Sequence, residues 1–175
     1  MSLGCQGDTG NLAGMSKERA DLVESLRRHR DFLRFTVRGL ADDQARLSPT
    51  VSTLTLGGLI KHVTATERQW MGFATGGEPG MSDASSDWAA AWTMTDEDTL
   101  DDLLAAYEDV ADATDALVDE LDLDRSYPLP QAPWFEPGAT WSVRRVLLHI
   151  IAETSQHAGH ADILREYIDG QKTMG

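Results

Sequence analysis

The stretch WSVRRVLLHIIAETSQHAGHADILREYI, residues 141–168, constrains the fold more than any other part of the chain. At about 100° per residue, a helix through it sets Val146, His149, Glu153, His157, His160, Leu164 and Tyr167 along one side. Both ends of that stripe are apolar, so it is expected to face a core, yet its middle carries a carboxylate and three imidazoles. Burying such groups without partners costs several kcal/mol each. Two readings compensate them. In one, Glu153 pairs with a core histidine, and His149 and His160 are satisfied by hydrogen bonds. In the other, Glu153 and His157, which project together at i and i+4, hold a divalent metal. The second reading needs a further ligand from elsewhere in the chain.

His62 is the candidate. A helix is expected to begin near Thr55 and run through LGGLIKHVTATERQWMGFA, with Leu59, Val63, Trp70 and Phe73 near one face and His62 at its edge. Together with Glu153 and His157, His62 completes two nitrogens and one oxygen, which leaves a coordination position for water or substrate. Glu67 projects roughly 140° away from His62, so it does not stand beside it as a spare general base. Gly57 and Gly58 weaken helix propensity in the first turn; they either admit a close backbone approach or are simply tolerated.

The remaining segments complete a helical pattern. Ser16 is placed to cap a first helix to about Arg38, with Leu22, Leu26, His29, Leu33 and Val37 inside and Arg27, Arg28, Arg30 and Arg34 mostly outside. His29 is read as a core imidazole. Residues 76–94 form a long loop carrying Trp88 and Trp92, which cover either a site or an ordinary core edge. Thr95 and Asp98 approximate a capping box for a third helix to about Leu121, whose Leu100, Leu103, Leu104, Tyr107, Val110, Thr114 and Leu117 recur about every 3.5 residues. A second loop, residues 122–140, holds YPLPQAPWFEPG, stiff enough for a pocket rim or a dimer contact. Gly170 closes the last helix as its C-cap. Four long helices joined by two lengthy loops read as an all-α, four-helix bundle.

Composition narrows the function. A length of 175 residues suits a single domain, here residues 15–170, preceded by a disordered segment at 1–14 and followed by a tail at 171–175. The formal net charge of -14 would repel phosphate backbones and anionic lipid, so neither nucleic acid nor membrane is an expected partner. The single cysteine, Cys5, allows no internal disulfide or CxxC site and fits a reducing cytoplasm. No secretory signal and no apolar run long enough to span a bilayer is present in the sequence.

Two segments, LxxLIKHVTATERQW around His62 and HIIAETSQHAGHADILREYIDG around His157, resemble the DinB-like superfamily. More closely, they resemble its branch of small actinobacterial proteins allied to the N-terminal domain of mycothiol-dependent maleylpyruvate isomerase. The likeness is collinear from about residue 16 to 170 and includes GLADDQARLSP after the first helix. It implies a four-helix bundle of up-up-down-down type with long crossing loops, often dimeric, and a divalent metal held between helices by His62, Glu153 and His157. Many DinB-like relatives place a histidine where Glu153 stands, whereas the isomerase branch uses glutamate. His160, one turn beyond the ligands, is expected to face substrate as a catalytic proton relay.

The implied activity is that of a metal-dependent S-transferase or isomerase-like enzyme. The metal is expected to be zinc, with nickel, manganese or iron as alternatives, and to activate a mycothiol-like thiol for attack on an electrophile. Because the isomerase carries a further C-terminal domain, the expectation favours the bundle-only S-transferases. A metal-dependent hydrolase and a non-catalytic, metal-binding stress-response or interaction protein are the rival readings. Expected partners are thus a small-molecule thiol, an electrophile and a second copy of the chain.

Overall fold

The computed structural model describes residues 16–81 and 92–173. The N-terminal segment 1–14, Trp88 and the last two residues of the tail lie outside the described residues. Among the described residues, four long helices build the bundle: α1 (Lys17–Thr36), α3 (Leu56–Gly76), α4 (Leu100–Glu120) and α5 (Val143–Asp169), with a short turn, α2 (Asp42–Ala45), after α1 and a 3-10 turn, Glu78–Met81, after α3. Each long helix starts on a hydroxyl that accepts the amide proton three residues ahead: Ser16 from Arg19, Thr55 from Gly58, Thr99 from Asp102 and Ser142 from Arg145. Gly170, left-handed at φ 79°, ends α5 as expected.

The start of α4 corrects the sequence expectation. Thr95 and Asp98 do bond each other, 2.7 Å from the Thr95 amide and 2.9 Å from its hydroxyl, but as a separate turn. The helix begins on Thr99, which forms a second Thr-x-x-Asp pair with Asp102. Asp98 is drawn to the Lys61 ammonium of α3 at 2.8 Å, and this holds the first turn against that helix.

Polar contacts fix the direction of each helix. Near their starts, α1 and α5 are joined by Glu18 and Arg144; near their ends, Arg165 donates to the carbonyls of Thr36 and Arg38 at 2.8 and 2.9 Å. The two helices are therefore parallel neighbours. Arg19 reaches the carbonyl of Val118 and Arg34 lies over the Tyr107 ring, so α4 runs against α1. His62 and Trp70 of α3 meet His157 and His149 of α5, so α3 runs against α5. An all-α bundle stands as expected, but its thread is up-down-down-up, where the resemblance implied up-up-down-down.

The physical reason lies in the connections. Two parallel consecutive pairs would need two connections running the length of the bundle. Here α3 ends at one end of the bundle and α4 starts at the other, whereas α1 and α3, like α4 and α5, are joined at a single end. Residues 121–142, also expected to cross, stay at one end, folded back by an antiparallel ribbon of β1 (Ser126–Pro128) and β2 (Thr140–Ser142) that pairs Tyr127 with Trp141.

The core divides into two apolar clusters. One gathers Leu22, Leu26, Phe73, Val118, Val146, Leu147 and Ile150; the other gathers Leu33, Leu59, Val63, Tyr107, Ala161 and Leu164. Arg30, expected on the solvated side of α1, is only 2% exposed and is paired with Glu67 of α3 and, at 2.7 Å, with Asp115 of α4. Its position four residues after Leu26 and three before Leu33 is an inner position of the helix. His29, expected in the core, is displaced to a half-buried place where its Nδ1 lies 2.8 Å from the Ser25 carbonyl.

Candidate metal centre

The antiparallel packing of α3 on α5 brings His62 opposite Glu153 and His157. One ligand atom from each of the three lies within 4.8 Å of the others. His157 Nε2 is 3.4 Å from Glu153 Oε2. Donors bound at about 2.1 Å to a tetrahedral ion sit about 3.4 Å apart, so this pair already has the spacing that a zinc-sized ion requires. The His62 ring stands edge-on to His157, with centroids 4.9 Å apart. Both imidazoles are buried, and Glu153 is half-buried.

Electrostatics suit the same donors. Burial, with His157 alongside, pushes His62 down to about 4 against the pull of Glu153. Near neutral pH its ring nitrogens are therefore not blocked by a second proton. Glu153 lies below the usual carboxylate range because the hydrogen bond from His157 outweighs burial, with His149 and His62 adding to the effect. Two imidazoles and an ionised carboxylate form a donor set that fits a divalent ion.

The rest of the polar stripe flanks this cluster. His160 is half-buried, with its Nδ1 3.4 Å from His157 Nδ1. On the other side, His149 Nε2 lies 3.9 Å from Glu153 Oε1. Its ring stands edge-on to Trp70 and Trp141, which stack on each other at 4.8 Å, and burial holds His149 below its ordinary value. Tyr167, expected on the inner stripe, is instead 69% exposed. With a true 3.6-residue turn the inner line continues from Ala161 and Leu164 to Ile168, which packs on the second core cluster.

Two loop features complete the surroundings. Trp92, which the sequence placed over either a site or a core edge, stacks on His62 at 3.5 Å with an interplanar angle of 14°, and meets His157 edge-on at 5.4 Å. From the second loop, Phe135 packs against Trp70 and Trp141, while Trp134 is 77% exposed. A concavity of about 470 Å³ lies within that loop, lined by residues such as Leu129, Phe135 and Gly138. None of its lining residues belongs to the His62 cluster.

A family model described as Mycothiol-S-transferase matches residues 21–170, most of the chain and all four candidate site residues. The chain belongs to the mycothiol S-transferase family. This membership accords with the DinB-like resemblance and its thiol-dependent branch. No curated protein matches. Among solved structures, the conserved protein of locus from Enterococcus faecalis is similar, with a TM-score of 0.68 at 17% identity, covering 89% of this chain and 99% of that one. At that identity the likeness shows a common fold alone. No helix among the described residues of this mycothiol S-transferase family member is long and apolar enough to cross a membrane.

Proposed function

We propose that the protein is a metal-dependent S-transferase that joins the sulfur of a mycothiol-type thiol to an electrophilic carbon. His62, Glu153 and His157 are the metal ligands in this reading, and zinc is the metal. The observation that carries it is the convergence of these three side chains between α3 and α5 in a chain of the mycothiol S-transferase family. The match over residues 21–170 also supports reading residues 15–170 as one domain.

A divalent ion held there supplies a Lewis-acid position at which a thiol is deprotonated at neutral pH. His160, beside His157, takes up the S–H proton or passes it to solvent. The S–C bond then forms, and the leaving group departs with its bonding electron pair. Trp70 and Trp141 pack edge-on against His149 on the Glu153 side of the cluster. A hydrolase would need a free carboxylate as general base. Glu67 is committed to Arg30 in the core, which weighs against that alternative.

The test is elemental analysis of wild type, His62→Ala and His157→Ala, followed by thiol consumption across a panel of electrophiles. About one ion per chain is expected in wild type and none in either variant, with thiol consumed only by the loaded wild type. His160→Asn is expected to keep its metal and lose about 100-fold in kcat. A fully loaded wild type that consumes no thiol would overturn the transferase reading. Wild type that takes up no metal on reconstitution would overturn the metal centre itself.

A further inference from the structure

Three glycines of α3 sit where another stretch of backbone or a buried side chain touches the helix. A Cβ added at Gly58 would lie 2.1 Å from the carbonyl oxygen of Trp92, and one at Gly57 would lie 2.2 Å from Met94 Sδ. At the far end of the helix, a Cβ on Gly72 would lie 2.1 Å from the carbonyl oxygen of Gly80. The connection between α3 and α4 therefore rests directly on α3 as it leaves and again as it returns. No side chain fits beneath either crossing. At the return point Met94 is 5% exposed, and Lys61 reaches both the Thr93 carbonyl and Asp98. The consequence of this seating is the placement of Trp92, whose indole lies flat on His62 and edge-on to His157.

We propose that Trp92 is a positioning residue of the candidate metal centre, set over His62 by a notch that Gly57 and Gly58 create. The inference rests on the reading of His62 as a ligand. A ring stacked at 3.5 Å restrains rotation of the imidazole about its Cβ–Cγ bond without competing for its nitrogens. It thereby adds to the Thr66 hydroxyl, 3.3 Å from His62 Nε2, in orienting the ring beside Glu153 and His157, the work that surrounding groups do for many ligating histidines. The indole also covers one face of the ring against water. The Gly-Gly pair at the start of α3 is thus explained by the approach of the returning backbone, which any Cβ at Gly58 would obstruct.

The test is cobalt(II) titration of metal-free protein, reading affinity and the visible ligand-field spectrum, with helical circular dichroism on every variant. Trp92→Ala is expected to bind cobalt about tenfold more weakly and with an altered spectrum. Trp92→Phe retains a stacking ring and should restore both. Gly58→Ala should reproduce Trp92→Ala, although a helix interior favours alanine over glycine. Gly76→Ala, in the same helix with nothing within 4 Å of its added Cβ, should match wild type. Wild-type affinity and spectrum in Trp92→Ala would overturn the proposal, and they decide it alone should Gly58→Ala fail to fold. A wild type that binds no cobalt would overturn the ligand assignment instead, and this inference with it.

Discussion

Arg30 illustrates how a charge can be at home in a core. It reaches from α1 to Glu67 of α3 and Asp115 of α4, while Arg27 supports Asp115 from the surface at 2.7 Å. Breaking a buried pair leaves the surviving charge desolvated and uncompensated, which costs about 3–5 kcal/mol. Glu67→Ala is therefore expected to lower stability by about that amount in urea denaturation of the metal-free protein. The double variant Arg30→Met, Glu67→Leu should recover much of the loss, because it removes the buried pair together and leaves Asp115 its bond to Arg27. At the same scale, the convergence of His62, Glu153 and His157 in space is legible in the sequence. Two of them share a helix face by simple spacing, and the third came from a histidine at the edge of another apolar face. Arg30 departs from the expectation because its angle on the helix, not its charge, decides its place, with Glu67 compensating the burial.

Helix starts show where local rules compete. Residues 95–98 and 99–102 both read Thr-x-x-Asp, and the sequence does not rank them. Lys61, distant in sequence, takes Asp98 and leaves Thr99 as the cap. Thr99→Ala is expected to cost about 1 kcal/mol in thermal or denaturant unfolding, and Thr95→Ala clearly less. The turn at 95–98 carries a pH signature as well. Burial raises the Asp98 pKa, but the bonds from Lys61 and Thr95 outweigh it, so the native value lies below the ordinary 3.8. A depressed carboxylate pKa contributes stability above its unfolded value, and that contribution is lost as pH falls through the native one. Wild type should therefore lose stability on acidification below about pH 4 more steeply than Asp98→Asn, as melting curves across that range will read. The seating of Trp92 belongs to this scale too. The sequence offers a close approach at Gly57 and Gly58 and a cover by Trp92 as alternatives, but not the choice between them, because the register of a returning loop on α3 depends on backbone contact at Gly58, which no helical periodicity reports.

At the scale of the whole molecule, the helix count followed from periodicity, but the threading did not. Loop lengths alone did not reveal that α3 and α4 run parallel while residues 121–142 turn back within a ribbon. The finished architecture has a consequence for the metal. His62, Glu153 and His157 join only α3 to α5, whereas apolar clusters toward both ends of the bundle join all four long helices independently of that site. In small zinc domains metal binding is itself the folding free energy, because they lack such a core. Here neither apolar cluster includes any of the three candidate ligands. Chelation followed by buffer exchange is therefore expected to preserve the helical circular dichroism and a cooperative melt. An ion at about 100-fold over its Kd adds about 2.7 kcal/mol, so its removal should lower the Tm by about 5–10 °C, and readdition should restore it. Collapse of the helical signal on chelation would make the ion a structural clamp and favour the non-catalytic reading. A folded, reloadable metal-free protein would leave the centre free to exchange its open position, as a transferase requires.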